Sequence, residues 1–474
     1  VKNGLPALEI PWPLQESRRA RLDRRGPAKE VAQIAAGIGR EFPHRLLAEV
    51  ATLPAAPLER ALGRLVEAEL IDSSPAPLAG YAFRHALIRD IAYGSLLRPR
   101  RQELHGRIAQ ALRLSDPETC ESRPELLAYH LDEAGRLDEA VEQWLKAGQR
   151  ATALSADQEA VGHLSRGLEL LRQLPDSEAN RQRALQLLVN RGPAQIVLRG
   201  AATPEVAANY REALDLAATL PEGPAHFAAH WGWWFISPDH REQERRGAHL
   251  QRLAGRLDNR GLLMQAHHCQ WATQLNLGKL EACRRHVEAG LALYDAGAYS
   301  DEVALYGGHD AKVCGLGNAA IVSWLLGRPD IAIRRVEEVL AWAPRVQHAA
   351  SHAQALKGVS QVAFFARDYT ALHDRSRKLI ALAEHHGFAS YHAEATINLG
   401  WVTAHKGELE EGIEMVREGL AKFRASSTSS DSPFFANILA ELLGMRGAVD
   451  EALAELDRAL GEMERGSLRL WLPE

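Results

Sequence analysis

Aromatic residues make up only 6% of this 474-residue chain, and β-branched residues are sparse beside Ala, Leu, Glu and Arg. A sheet-rich fold draws on the opposite mixture, so the composition excludes extensive β structure and favours helix. Cysteine is scarce as well. Cys120, Cys269, Cys283 and Cys314 stand apart with no CxxC spacing, which argues against a disulfide framework and fits a reducing cytoplasm. No apolar run approaches the roughly 18 residues of a membrane span, and no signal peptide opens the chain. Neither sign of charge dominates: a formal net charge of −5 with no basic half argues against a dedicated nucleic-acid binder. The phosphate-cradling pattern G-x-x-x-x-G-K-[ST] is missing too. Gly278-Lys279 is followed by Leu280 and has no upstream glycine, so the backbone nest and lysine that hold β/γ-phosphates are not encoded. No Ser/His/Asp, Cys/His or paired-carboxylate set stands out. The expectation is a chain that is not an enzyme and carries no cofactor.

What is present is a recurring Gly-x-x-x-x-Ala. Gly135 and Ala140 show it first, and it returns at Gly327 to Ala332 and Gly447 to Ala452. Degenerate copies sit at Gly278 to Cys283, Ala366 to Ala371 and Gly407 to Gly412, giving steps of 49, 39, 41 and 40 between anchors from 278 onward. A period of about 40 residues, each unit helix–turn–helix, is the signature of an α-solenoid. One small residue ends a helix where the chain turns, and a second lets the next helix lie close against the first.

Ahead of the repeats, residues 1–27 read as an entry segment. Pro6, Pro11 and Pro13 break regular structure there, before a short arginine-rich helix over Glu16 to Arg25. Residues 28–112 read as a compact domain with helices over Lys29–Ile38, Pro43–Val50 and Pro57–Ala68, the last pointing Leu58, Leu62, Leu65 and Val66 inward. Leu70-Ile71-Asp72 and Tyr81 to Arg84 form two short strands around a loose tip at Ser73 to Gly80, the pattern of a winged helix, and a helix or helix pair follows over His85–Leu112. A polar stretch, Ser115 to Arg123, marks a boundary, and helical repeats occupy 124–465. The expected fold class is all-α: a small winged-helix domain followed by a TPR-like superhelix of hairpins. The first residue, Val1, is not methionine, so the chain is expected to begin inside a longer protein.

Three stretches carry a resemblance. They are Tyr81-Ala-Phe-Arg-His-Ala-Leu-Ile-Arg-Asp-Ile-Ala-Tyr to Gln110, Tyr306-Gly-Gly-His-Asp-Ala-Lys-Val-Cys to Gly315 with Ser323 to Ile331, and Ala20 to Phe42. The chain resembles the C-terminal region of large bacterial signalling proteins that join a class III adenylate/guanylate cyclase, a STAND/AAA-type ATPase, a winged helix and TPR-like repeats. Arg18, Arg19 and Arg25 depart from the more apolar segment usual in that family. The resemblance implies ATPase and cyclase modules in cis, upstream of Val1, and protein partners on the solenoid. It also implies a role for His85, since a winged-helix histidine in STAND-type ATPases contacts the nucleotide phosphate.

Other residues have plainer readings. Arg98, Arg100, Arg101 and Arg107 form a basic run, yet Glu59, Glu67 and Glu69 offset Arg60 and Arg64 on the presumed recognition helix, so a salt-bridged face is expected there. His267-His268-Cys269 with Cys283 and His286 suggests zinc, but adjacent helical residues diverge by about 100° and no closed site follows, so no metal is expected. His385-His386 attracts no stronger reading. Trp231, Trp234 and Phe235 fall on one stripe and read as core packing. Asp310 reads as a helix start. The function expected is a regulatory scaffold coupling partner or ligand sensing to upstream modules. The alternatives are the sensor region of an ATPase-type transcriptional regulator and a stand-alone scaffold.

Overall fold

The computed structural model describes residues 27–74, 80–201, 203–295, 305–346, 348–426 and 431–471. The arginine-rich entry helix and the loose tip at 75–79 lie outside the described residues. The chain divides into two compact units, Val1–Arg150 with Gly162–Pro175, and Ala151–Val161 with Asp176–Glu474.

The first unit runs α1 (Pro27–Ile38), β1 (Glu41–Pro43), α2 (His44–Ala51), α3 (Ala55–Glu67), β2 (Ile71–Ser74), β3 (Gly80–Phe83), α4 (Ala86–Gly94), α5 (Arg98–Ser115), α6 (Pro117–Ser122) and α7 (Pro124–Glu133). Helices α8 (Leu137–Ala153) and α9 (Asp157–Leu171) follow, each contributing to both units. Apolar periodicity dictates the packing. Val31, Ile34, Leu47, Leu58, Leu62, Leu65, Phe83, Ile88 and Ile108 are all buried in one core. The sequence did not announce β1. Three residues are too few for a periodic signal, and the strand forms because Phe42 is buried against Phe83 and Tyr81, with ring centroids 5.5 and 6.0 Å away. The sheet is antiparallel in the order β1-β3-β2, with Phe42 opposite Tyr81 and Asp72 opposite Ala82. Val66 does not face inward as expected. It is 40% exposed, because the α3 stripe is completed by Leu58, Ala61, Leu62 and Leu65 and has no room for a neighbour of Leu65.

Helix α5 packs directly against α7, the first helix beyond the polar stretch. His105 and His130 meet Nδ1 to Nδ1 at 2.8 Å, and Tyr93 bridges His105 Nε2 at 2.8 Å and Glu133 at 3.3 Å. The polar stretch at 115–123 folds as α6, capped by Asp116 accepting from the Thr119 amide.

The second unit consists of α10 (Glu178–Arg199), α11 (Pro204–Ala217), α12 (Pro224–Phe235), α13 (His240–Arg256), α14 (Arg260–Asn276), α15 (Leu280–Leu293), α16 (Ala311–Leu325), α17 (Pro329–Trp342), α18 (Ala349–Phe365), α19 (Tyr369–His386), α20 (Ala389–His405), α21 (Leu409–Ser426), α22 (Ser432–Arg446) and α23 (Val449–Gly466). The fold is all-α, a TPR-like helical solenoid. No described helix is long and apolar enough to cross a membrane.

One turn geometry recurs. At Gly135, Ser155, Gly278, Gly327, Arg367, Gly407 and Gly447 the backbone takes a positive φ, and the next residue's amide donates to a carbonyl five residues back. Examples are Arg136 to Leu131, Arg328 to Ser323 and Ala448 to Leu443, each at 2.9 Å. This is the Schellman cap, which satisfies carbonyls that a helix end leaves unpaired. Five residues beyond each turn stand Ala140, Ala160, Cys283, Ala332, Leu372, Gly412 and Ala452, all buried. The expected anchor pair Ala366 to Ala371 is therefore off by one. Ala366 is still right-handed at φ −73, and Arg367 takes the left-handed position at φ 52 despite its side chain. With that correction the turns at 327, 367, 407 and 447 lie 40 residues apart throughout. The closest hairpin is α20–α21, where a Cβ on Gly412 would lie 2.5 Å from the Gly400 carbonyl oxygen and 2.6 Å from Ala404 Cβ.

Gly412→Ala is expected to destabilise the chain by about 3 kcal/mol, since two helix backbones must part to admit the methyl. Gly327→Ala meets open space and is expected to lose only about 1 kcal/mol, from its φ of 72. Chemical denaturation of both variants checks the ordering.

Candidate partner-binding strip

In each C-terminal hairpin the second helix is amphipathic, whereas the first is apolar nearly all round, as helices packed on several sides must be. Single polar residues on those first helices therefore stand out. Helix α18 carries Lys357 as its one Lys, Arg, Asp or Glu, and α20 carries only Glu394. The fold brings them together. Lys357 Nζ lies 2.6 Å from Asp431, the N-cap residue of α22, and 3.5 Å from Glu394. Asp310 and Asp368 cap their helices by accepting from the amides of Val313 and Ala371, at 2.8 and 2.9 Å. Asp431 stands at the same N-cap position but makes no such bond and gives its carboxylate to Lys357 instead. Gln361, Phe364, Asn398, Phe434 and Phe435 line the same cleft. Tyr391 donates to Gln354 Oε1 at 2.9 Å beside it.

The electrostatics follow from burial. Glu394 is only 7% exposed, and desolvation pushes its carboxyl up to about 7, with Lys357 opposing the rise and Asp431 adding to it. Burial also works against the charge on Lys357, but the Asp431 and Glu394 carboxylates outweigh it and hold the ammonium above the ordinary lysine range. The result is a half-buried cation with one firm and one weak counter-charge. It is flanked by phenylalanine faces and by carboxamides that both donate and accept. The strip thus sets carboxamide donors and acceptors beside a partly exposed cation.

The residues singled out from sequence fall elsewhere. His85 is the exposed N-cap residue of α4, and its side chain makes no capping bond. Its neighbour Arg84 is committed to Asp72, with Nη2 at 2.9 Å, and to Glu69 at 3.2 Å. The basic run is used internally. Arg100 pairs with Glu30 at 2.7 Å, Arg101 donates to the Leu96 carbonyl at 2.9 Å, and Arg107 donates to the Val50 carbonyl. His267 and His268 diverge as helical geometry requires. His267 Nδ1 meets His286 Nδ1 at 3.0 Å, while His268 turns to Gln265 at 3.1 Å. His385 and His386 are exposed at the end of α19. Trp231 and Trp234 are buried, whereas Phe235 is 37% exposed and stacks on Trp231 at 5.5 Å. Sequence reasoning missed Lys357, Glu394 and Asp431. Their signal was a lone charge on an otherwise apolar hairpin helix.

No family model matches the chain. Over 461 residues, 96% of its length, it is 31% identical to an uncharacterized protein of Rhizobium meliloti (strain 1021), and it spans 45% of that relative. Among solved structures it is similar to a Rap protein complexed with competence and sporulation factor (11% identity, TM-score 0.49, 69% of this chain and 99% of that one). It is also similar to a STAND protein with a tetratricopeptide repeat sensor from Pyrococcus horikoshii (12% identity, TM-score 0.47, 92% of this chain and 63% of that one). These likenesses extend to the helical fold and no further.

A carboxyl whose folded pKa stands above its unfolded value contributes stability at low pH that is lost as pH rises to the folded value. Between about pH 4.5 and pH 7 the wild type is therefore expected to lose on the order of 2 kcal/mol relative to Glu394→Gln. Urea denaturation of both proteins across that range reads the difference, and parallel stability curves would contradict it.

Proposed function

We propose that this chain is the non-catalytic regulatory and scaffold region of a larger signalling protein. It captures a protein segment on the strip around Lys357 and passes that occupancy to ATPase and cyclase modules outside the chain. The observation that carries the reading is the Lys357–Asp431–Glu394 cluster. Burying a cation and two carboxylates in a helical stack costs stability unless they are paired, and apolar residues of similar size would stabilise the stack as well or better. The cluster sits in a narrow, partly enclosed cleft of about 10 Å³ lined by Gln361, Asn398 and Phe364, so a partner reaches it only by parting these side chains.

Solenoid hairpins touch their neighbours, so occupancy at one cleft alters the contacts of the next pair. The matched stretch amounts to 45% of the Rhizobium meliloti relative, which supports a role for this region within a longer chain. In such a protein His85, at the start of α4, would face a nucleotide phosphate supplied by the ATPase module. The wing-like order helix–strand–helix–helix–strand–strand of the first unit supports that placement.

Peptides selected from a random library on the wild-type chain are expected to lose about tenfold or more in affinity on Lys357→Met or on the pair Gln361→Ala and Asn398→Ala. Lys357→Met strands two carboxylates and is expected to lower the melting temperature as well, so the Gln361→Ala and Asn398→Ala pair, with an unchanged far-UV spectrum, keeps the test intact. Selected peptides that bind all variants equally, or ATP binding at micromolar concentration by this chain alone, would overturn the reading.

A further inference from the structure

A second group of buried polar atoms lies in the same unit, near enough to Lys357 to feel its charge but outside the strip's own hydrogen bonds. His268 of α14, His309 in the turn ahead of α16 and Cys314 in the first turn of α16 bring one ligand atom each within 4.8 Å of one another. The backbone arranges this. Gly307 and Gly308 both take positive φ, at 89 and 68, and swing His309 back over α14, while Asp310 caps α16 and so fixes the height of Cys314.

The donors are oriented as a metal site requires. His268 directs Nδ1 to Gln265 Oε1 at 3.1 Å, which leaves Nε2 to face the cluster. His309 is held to the Gly307 backbone through its other nitrogen, and its Nε2 is sealed from solvent with no hydrogen-bond partner. Asn318 Nδ2 reaches Cys314 Sγ at 3.4 Å. An orphaned imidazole nitrogen in an interior costs about 1–3 kcal/mol and calls for an occupant. A side-chain or backbone oxygen on the far nitrogen of each histidine is the usual support of metal ligands.

We propose that His268, His309 and Cys314 bind a thiophilic d¹⁰ metal ion, Zn²⁺ or Cu⁺, that clamps the 305–310 turn to α14. One sulfur and two imidazoles suit these ions and not Mg²⁺ or Ca²⁺, which take oxygen. Bond lengths of about 2.0–2.3 Å require the donors to draw in by about 1 Å, within the reach of side-chain rotation. Burial keeps both imidazoles uncharged near neutral pH, with His309 down at about 4, and binding releases the thiol proton to solvent.

The reduced full chain is titrated without oxygen with Co²⁺ as a spectroscopic stand-in, with Zn²⁺ against a chromophoric chelator, and with Cu⁺ against bicinchoninate. One ion per chain, a sulfur-to-cobalt charge-transfer band and a higher melting temperature on loading are expected. The band should vanish in Cys314→Ala and persist in Cys283→Ala, whose sulfur is a neighbour but no ligand. His309→Gln, still carrying the thiol, should bind at least about tenfold more weakly, so a misfolded Cys314→Ala leaves the test intact. Retention of neither Zn²⁺ nor Cu⁺ by the wild type, or a band unchanged in Cys314→Ala, overturns the proposal.

Discussion

The constraint on which the rest depends is the closeness of two helix backbones within a hairpin. Where Gly400 faces Gly412, a methyl group would sit 2.5 Å from a carbonyl oxygen. Elsewhere an alanine, a cysteine or, at 372, a leucine fills the same place. Close approach demands a short turn, and a short turn leaves helix-end carbonyls unpaired unless one residue adopts the left-handed conformation. The chain meets both demands together, with a left-handed residue followed five positions later by a buried one, most often small. The 40-residue spacing from Gly327 to Gly447 repeats that solution so that each hairpin meets the next in the same register.

This packing also explains why polar side chains gather where they do. A second helix leaves one face in water and can be salt-bridged along it, as Arg417 is with Glu414 at 3.0 Å and Glu451 at 2.7 Å. A first helix meets protein on most sides, so any charge it carries must find its partner within the stack. Lys357 and Glu394, on two successive first helices, and Asp431, at the cap of the third, answer one another. None of the three would be tolerable there alone.

Much of the fold was legible because period and composition are properties of a strand of letters. The glycine beat gave the hairpins, and the apolar stripes gave α1 and α3. The failures have physical causes. Ala366 is small enough for a turn residue, yet Arg367 bears the left-handed backbone, where the Asp368 amide closes the cap on the Ala363 carbonyl at 2.9 Å. Strand β1 was hidden because three residues carry no period, and only the rings of Tyr81 and Phe83 make Phe42 a strand residue. The candidate strip was nearly invisible. Its members lie 37 residues apart in sequence, from Lys357 to Glu394 and again to Asp431, and no local motif joins them. His268, His309 and Cys314 were each noticed, but in other groupings, because sequence neighbours on a helix diverge and distant residues converge only once the hairpins stack.

The central claim is that the unit from one turn to the next is the structural quantum of the C-terminal region. Removal of residues 367–406 joins Ala366 to Gly407 and deletes one unit with the turn chemistry preserved. The account predicts a chain that keeps its helicity per residue and melts in one cooperative transition at reduced temperature, as stacked repeats do. Removal of half a unit, residues 367–386, should abolish cooperative melting. If the two deletions behave alike by circular dichroism and calorimetry, the 40-residue unit is not what holds this region together.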